Sequence, residues 1–208
     1  MFKKVREDLN AFKERDPAAR SKAEIFLLYN GFHAVLFYRL SHWLYKHHRY
    51  FLARWVSQYA KFRTGVEIHP AAKIGRGLCI DHGTGIVIGE TAEIGDYCLI
   101  YQGVTLGGTG KDTGKRHPTL EDHVMVGCGA KILGPFTIGS HSKIAANAVV
   151  LDPVPPHSTA VGVPARVIRQ NGQKVDLLDQ VHISDPVAQE LCRLQARIAE
   201  LEKKLEEK

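Results

Sequence analysis

The spacing of hydrophobic residues changes once along the chain, near residue 66. Before that point apolar residues recur every three or four positions, which is the period of an amphipathic helix. The Asp16-Pro17 step and Gly31 interrupt this pattern, so several short helices are predicted over residues 1–62. The residues that carry the helical stripe are Phe32, Leu36, Leu40, Trp43 and Leu44.

From Val66 onward, aliphatic residues recur every six positions. This period fits neither an α-helix nor an alternating strand, and it is the signature of a hexapeptide parallel β-helix. The series slips by two residues between Ile86 and Ile88 and is interrupted between Leu106 and Leu120. Its members are Ile68, Ile74, Ile80, Ile86, Ile88, Ile94, Ile100, Leu106, Leu120, Val126, Ile132, Ile138, Ile144 and Val150.

Each hexapeptide is expected to form one short strand and one corner, with its aliphatic side chain pointing inward. Three such units close a triangular coil of about 18 residues, and coils stack at about 4.8 Å, the usual spacing between strands. We therefore predict a β-helix domain over residues 63–170. Because flat-sided prisms with few coils associate, a closed homotrimer is expected.

Three segments depart from the six-residue period. Residues 109–118 are polar and glycine-rich, so they are predicted to protrude as a loop. The prolines of VPPHSTAVGVPARV are expected to end strand addition. A linker over 171–183 and a heptad helix over 184–208 are predicted to follow, the helix either meeting two copies on a trimer axis or lying on its own subunit. The heptad residues are Val187, Leu191, Leu194, Ile198, Leu201 and Leu205.

Composition and charge narrow the classes of function. The net charge is +6, but the basic residues are scattered and lack interleaved aromatics, so no nucleic-acid partner is predicted. The apolar stretch 25–38 is shorter than the roughly 20 residues that span a bilayer, and the N-terminus lacks a signal-peptide core. We expect a cytoplasmic protein without a membrane partner. The four cysteines show no CxxC spacing, so reduced thiols and no metal are expected.

The sequence IDHGTGIVIGE places an ionisable pair inside the apolar repeat. His82 lies two residues after Ile80 and is therefore expected at a corner of the prism. Glu67 precedes it by slightly less than one coil, which puts the two on neighbouring coils near one edge. A carboxylate there can orient an imidazole that acts as a general base, a role that typically contributes about 10²–10⁴-fold to rate.

Several runs resemble the serine O-acetyltransferases of the hexapeptide acyltransferase superfamily. They are RDPAA, GFHAVLFYRLSHWLY, VEIHPAAKIGRGLCIDHGTGIVIGETAEIG, TLGGTGK, RHP, GAKILG and VPPHSTAVGVPARV. The resemblance covers roughly residues 14–169, and the combination of DHGTG with GGTGK and RHP is specific to the family. It implies a left-handed β-helix and the transfer of acetyl from acetyl-CoA to the hydroxyl of L-serine.

The resemblance also assigns roles to individual residues. His82 would be the base and Glu67 its carboxylate partner. Acids would hold the substrate ammonium and a cationic pair its carboxylate, which suits a zwitterionic amino acid. The residues with these binding roles are Asp16, Asp81, Arg116 and His117.

Binding of coenzyme A is likewise implied by the resemblance. The backbone N–H groups of Gly107 and Gly108 would stabilise the oxyanion of the tetrahedral intermediate. The coenzyme would lie in the groove between two neighbouring prisms. The residues placed against it are Cys128, Ala130, Lys143, Ala146 and Arg166.

Partners and oligomeric state follow from the same resemblance. L-cysteine, which differs from serine by one atom, would inhibit by occupying the serine site. The helical region before the prism is shorter than in family members that form hexamers, so a trimer is expected. The family binds O-acetylserine sulfhydrylase through a carboxy-terminal isoleucine, whereas this chain ends LEEK, which puts that complex in doubt.

Three rival functions remain open at this stage. A gamma-type carbonic anhydrase would hold zinc with His82, His117 and His123. An acetyltransferase for another hydroxyl acceptor would share the base but not the amino-acid pocket. A catalytically silent scaffold would use its terminal helix to recruit a partner.

Overall fold

The computed structural model describes residues 2–110 and 113–174, together with positions 194, 197 and 198. The chain divides into two compact units, Met1–Val175 and Asp176–Lys208. The predicted linker and heptad helix fall largely outside the described residues. The helices of the first unit are α1 (Phe2–Arg15), α2 (Lys22–Leu28), α3 (Asn30–Lys46) and α4 (Tyr50–Thr64).

The helices are followed by a parallel β-solenoid with three sheets. Sheet A contains β1 (Glu67–Ile68), β4 (Val87–Ile88), β7 (Thr105–Gly107), β10 (Lys131–Leu133) and β13 (Val149–Val150). Sheet B contains β2 (Lys73–Ile74), β5 (Glu93–Ile94), β8 (Thr119–Leu120) and β11 (Thr137–Ile138). Sheet C contains β3 (Cys79–Asp81), β6 (Leu99–Tyr101), β9 (Met125–Val126), β12 (Lys143–Ile144), β14 (Ser158–Gly162), β15 (Ala165–Gln170) and β16 (Gln173–Lys174).

The aliphatic residues of the six-residue repeat form the core of the solenoid, as predicted. Every one of them is at most 5% exposed. Equivalent positions stack in register from coil to coil, so that Ile88 pairs with Leu106 and Ile100 with Val126. The chain visits sheets A, B and C in turn, which creates three edges, here called A–B, B–C and C–A after the sheets they join.

The two-residue slip in the repeat is an insertion at the C–A edge. Ile68 pairs with Ile88, and Ile88 pairs with Leu106, so the first coil is longer than the second by the two slipped positions. Asp81 still pairs with Tyr101 at the end of sheet C, and Thr84 and Gln102 occupy equivalent places at the next corner. The two extra residues therefore lie between Asp81 and Thr84, and His82 is one of them.

The helices pack against the first coil through a buried ion pair. Arg39 of α3 donates two hydrogen bonds to Asp8 of α1, at 3.1 and 3.0 Å, and both residues are buried. The same guanidinium donates to the carbonyl oxygen of Ile74 at 2.8 Å. One side chain thus joins two helices to the prism.

Removing one member of this ion pair should destabilise the protein. We expect Asp8→Ala to lower the free energy of unfolding by about 3–5 kcal/mol, because the buried Arg39 charge loses its counterion. Glu93→Ala, which breaks the exposed pair with Lys73, is the matched control and should cost less than about 1 kcal/mol. Urea denaturation at fixed protein concentration measures both; equal midpoints for the two variants would contradict the joining role of Asp8.

Gly31 does not interrupt the helical pattern, contrary to the prediction from sequence. It lies in the first turn of α3, and the break between α2 and α3 falls at Tyr29. A Cβ atom at Gly31 would lie 2.0 Å from the carbonyl oxygen of Ile80. The glycine is therefore explained by the close approach of α3 to β3.

The prolines near the end of the solenoid do not stop strand addition, so that expectation was wrong. Sheet C continues through β14, which is parallel to β12, and then through β15 and β16, which are antiparallel. The prolines lie before β14 and in the turn between β14 and β15, where no ladder hydrogen bond is needed. β16 reaches Lys174, within the range assigned to the linker.

None of the helices in the described part of the chain is long and apolar enough to cross a membrane.

Candidate active site

The C–A edge of the first coil carries His82. The residue follows β3 directly and has a left-handed backbone, with φ of 57°. Its side chain is 75% exposed, and its Nε2 atom lies 3.9 Å from Oδ1 of Asp81. An exposed imidazole beside a carboxylate on a rigid corner is suited to proton transfer with a bound substrate.

Asp16 is brought to the same edge by the end of α1. Its backbone N–H donates to the carbonyl oxygen of Phe12, and its Oδ1 atom accepts the N–H of Ala18 at 2.7 Å. Tyr29 donates its phenol proton to Asp16. This hydrogen bond, together with burial and the negative charges of Asp16, Glu24 and Asp81, raises the pKa of Tyr29 to about 12. Two carboxylates and a neutral phenol thus share one edge with His82.

Tyr29 was not predicted from the sequence. Its ring packs edge-on against Phe12, with ring centroids 6.4 Å apart. The hydroxyl group, however, donates a hydrogen bond to the Asp16 carboxylate. Only the fold of α1 against α2 brings these two residues together.

Glu67 does not make the contact that was predicted for it. Its carboxylate accepts a hydrogen bond from Lys61 at 2.6 Å and lies 3.7 Å from Arg54. Lys61 and Arg54 are both on α4, which packs beside β1. The acid that the structure brings closest to the His82 imidazole is Asp81, because the two are adjacent on the inserted corner.

The A–B edge carries Arg116 and His117, at the end of the predicted loop. Nη2 of Arg116 lies 2.7 Å from Oε2 of Glu90. Nδ1 of His117 lies 2.9 Å from the hydroxyl oxygen of Thr91. Glu90 and Thr91 follow β4 and were not singled out in the sequence, although they lie within GETAEIG. Glu90 and Thr91 contact Arg116 and His117 because neighbouring coils stack, and this stacking cannot be read from the local sequence.

Two histidines on this edge are held neutral. Burial, followed by the Arg116 charge, lowers the pKa of His117, and burial, followed by the Arg54 charge, lowers the pKa of His69. Nδ1 of His69 accepts the N–H of Ala71 at 3.1 Å. Of the predicted residues on the A–B edge, Arg116 is therefore the cationic one, and the histidines add uncharged polar atoms.

The residues predicted to bind the amino acid thus form two separate groups. The acids and His82 lie on the C–A edge, and Arg116 and His117 lie on the A–B edge, with sheet A between them. Within one chain the groups occupy opposite borders of that sheet.

The residues predicted to contact coenzyme A are also distributed over both edges. Gly107 and Gly108 lie on the A–B edge beside Arg116. Cys128 and Ala146 lie on the C–A edge, where the carbonyl oxygen of Cys128 accepts the N–H of Asn147 at 2.8 Å.

The remaining three residues of this group are Ala130, Lys143 and Arg166, of which only Ala130 lies at a corner, the C–A corner. Ala130 is fully buried, so neither its side chain nor its backbone is accessible to a coenzyme in the single chain. Lys143 is exposed on β12, and Arg166 on β15 lies 4.0 Å from Asp152.

The histidines of the metal hypothesis lie on three different edges. His82 is on the C–A edge, His117 on the A–B edge and His123 on the B–C edge, where it stacks between Tyr97 and His141. In the described part of the chain, no group of three His, Cys, Asp or Glu side chains could hold a metal ion.

Comparison with known proteins agrees with this architecture. The family model described as "Serine acetyltransferase, N-terminal" matches residues 1–36, and the model "Bacterial transferase hexapeptide (six repeats)" matches residues 117–152. The serine acetyltransferase of Bacillus licheniformis is 51% identical over 208 residues, covering 100% of this chain and 96% of the relative.

Solved structures give the same result. Serine acetyltransferase of Neisseria gonorrhoeae in complex with serine is 47% identical, with a TM-score of 0.79 over 81% of this chain and 69% of that chain. A serine acetyltransferase in complex with cysteine is 47% identical, with a TM-score of 0.80 over 83% of this chain and 67% of that chain. The N-terminal helices and the hexapeptide solenoid match those of the solved relatives, and sequence identity to curated relatives is about one half over the full length. The chain therefore belongs to the serine acetyltransferase family.

Proposed function

We propose that this chain transfers the acetyl group of acetyl-CoA to the hydroxyl group of L-serine. The observation that carries the proposal is the composition of the two edges. One presents Asp16, Asp81 and His82, and the other presents Arg116 with two neutral histidines. Acids suit an ammonium group, Arg suits a carboxylate, and a histidine beside the acids suits the removal of a hydroxyl proton.

The proposed site requires an assembly, because the two groups lie on separate edges. In a closed homotrimer, the C–A edge of each chain meets the A–B edge of the next, and three identical sites result. The groove between neighbouring prisms then also receives coenzyme A, with Cys128 and Ala146 on one wall and Gly107 and Gly108 on the other.

The proposed reaction is a direct acyl transfer. The His82 imidazole takes the proton of the serine hydroxyl as the oxygen attacks the thioester carbonyl carbon. The negative charge that develops on the carbonyl oxygen is stabilised by backbone N–H groups of the Gly107-Gly108 segment. Collapse of the intermediate breaks the C–S bond, and the thiolate takes the proton from the imidazolium. The products are O-acetyl-L-serine and coenzyme A.

The carboxylate that orients His82 is Asp81 or Glu67. Asp81 is already 3.9 Å away, whereas Glu67 would first have to exchange its contact with Lys61. L-cysteine has the same ammonium and carboxylate groups as serine, so it is expected to compete for the same pocket. The existence of a relative solved with cysteine supports this.

Acceptor-dependent loss of the thioester absorbance of acetyl-CoA tests the proposed function. We expect consumption with L-serine, little with D-serine, and suppression of the serine reaction by L-cysteine. The thioester signal is preferable to a thiol reagent because cysteine itself carries a thiol. Consumption only with a sugar or another hydroxyl compound would retain the fold and the base but reject the amino-acid pocket. Stoichiometric zinc with no acetyl transfer would favour the metal enzyme.

A further inference from the structure

Thr91 lies on the A–B edge, between β4 and β5, and was assigned no role from the sequence. Its hydroxyl oxygen accepts the backbone N–H of Arg116 at 3.0 Å and of His117 at 3.1 Å. The same oxygen lies 2.9 Å from Nδ1 of His117, and the Thr91 backbone N–H lies 3.2 Å from that nitrogen. One residue therefore contacts both the backbone and the ring of the predicted substrate-binding pair.

We propose that Thr91 is a positioning residue that fixes His117 as the neutral tautomer protonated at Nε2. The ring then offers the substrate an N–H donor and offers no base. This inference deepens the proposed function and rests on it for the identity of the bound carboxylate, whereas the tautomer itself is a property of the free protein.

Two hydrogen-bonding arguments lead to the same tautomer. A backbone N–H can only donate, so the Thr91 N–H requires a lone pair on Nδ1 of His117. The Thr91 hydroxyl oxygen already accepts two N–H groups, which leaves its own proton to be donated to Nδ1. With Nδ1 acting as an acceptor, the proton of the neutral ring is on Nε2.

The surroundings of His117 disfavour the doubly protonated ring. The residue is 8% exposed, and burial lowers its pKa. Arg116, His69 and Lys115 also lower the pKa, and Glu90 alone raises it. Because the folded-state pKa is depressed, the ring stays neutral through neutral pH and takes a second proton only in more acidic solution.

Gly89 packs against the His117 ring and leaves space for it. A Cβ atom there would lie 1.9 Å from Cδ2 and 2.0 Å from Nε2 of His117. The Nε2 edge of the ring therefore occupies the space that any other residue at position 89 would fill. Thr91 fixes one nitrogen of the ring, and the missing side chain at Gly89 makes room for the other.

A fixed donor tautomer has a chemical consequence in the proposed reaction. A second histidine with a free lone pair near the serine hydroxyl could take its proton in competition with His82. With the Nδ1 lone pair occupied by Thr91, His117 can donate to a carboxylate oxygen but cannot accept from the hydroxyl. Proton transfer is thereby left to His82.

Nitrogen NMR of the ¹⁵N-histidine-labelled full-length protein without substrate tests the tautomer. The His117 signals are identified by their loss in His117→Gln. We expect a pyridine-type Nδ1 and a pyrrole-type Nε2, with a titration midpoint below the ordinary value of about 6.5. Thr91→Val keeps the backbone N–H donor and removes only the hydroxyl donor to Nδ1, so part of the population should shift to the Nδ1-protonated tautomer, and Thr91→Ser should restore the single one. A wild-type ring protonated at Nδ1, or an unchanged tautomer in Thr91→Val, would overturn the proposal.

Kinetics provide the second readout. Loss of one charge-assisted hydrogen bond predicts a rise in KM for serine of about tenfold in Thr91→Val, with a smaller change in kcat. The acid limb of kcat/KM should move to higher pH in that variant, and Thr91→Ser should recover most of the loss. Thr137→Val, an exposed hydroxyl deletion on β11, is the matched control for general effects. A fall in kcat alone, with the acid limb of the kcat/KM profile unchanged, would indicate that Thr91 has only a structural role and would contradict the tautomer assignment.

The two proposals fail in different ways. If serine is not the acceptor but the NMR result holds, the donor tautomer stands and only its ligand changes. If serine is acetylated while His117 carries its proton on Nδ1, the proposed function stands and the positioning role of Thr91 is rejected.

Discussion

Replacing His82 with alanine is expected to lower kcat/KM for acetyl transfer to serine by about 10²–10⁴-fold, the usual contribution of a positioned base. The stability and the oligomeric state should change little, because the side chain is 75% exposed and approaches Asp81 no closer than 3.9 Å. The measurement is the initial rate over a range of serine concentrations, with circular dichroism and sizing of the same sample.

A matched control is available on another edge of the prism. His141 is also an exposed histidine at a left-handed corner, with φ of 59°, and is expected to tolerate alanine with unchanged kinetics. Retained turnover in His82→Ala would reject the general-base assignment. Comparison of Asp81→Asn with Glu67→Gln then identifies the orienting carboxylate, since only its loss should alter the basic limb of the pH profile.

Mixing two inactive variants is expected to restore activity if the site is shared between chains. His82→Ala removes the base from the C–A edge, and Arg116→Ala removes the guanidinium from the A–B edge. In a mixed homotrimer, an intact site forms wherever the C–A edge of an Arg116→Ala chain meets the A–B edge of a His82→Ala chain. Random assembly of equal amounts predicts about a quarter of the wild-type sites in the whole population, and about a third in trimers selected to contain both chains.

The control for this experiment is a chain that carries both substitutions. In a mixture of this chain with either single variant, one of the two residues is missing from every chain. No complete site can form, and no activity should be restored. Coexpression of differently tagged chains, followed by selection of mixed oligomers, gives the sample for the rate measurement. Activity no greater than that of the parent variants would place both residues in one chain's pocket and contradict the shared site.

The prediction of the solenoid from sequence succeeded because its repeat is local. Each hexapeptide satisfies the same geometric rule, so Ile68 or Ile132 can be assigned to the interior without knowledge of any other residue. The two-residue slip was visible as well, but the sequence placed it between Ile86 and Ile88, because both residues continue a six-residue step. Only the pairing of Asp81 with Tyr101 places the insertion at the corner that holds His82.

The differences between the sequence-based expectations and the structure share one physical cause. Gly31, the prolines after Asp152 and Glu67 were interpreted from their neighbours in sequence. Each is instead determined by a contact from another element: Ile80 beneath Gly31, sheet C continuing past the prolines, and Lys61 beside Glu67. Such contacts leave no periodic trace in the sequence.

The sequence by itself therefore determined the prism, its family resemblance and the residue types at its corners. Those features depend on repeated local geometry and on short motifs such as DHGTG and RHP. The tertiary structure decided which corner residues share an edge, because stacking of coils gathers residues that lie one coil or more apart in the chain. It brought Tyr29 to Asp16, Thr91 to His117 and Glu90 to Arg116, and it separated the two halves of the proposed site across sheet A.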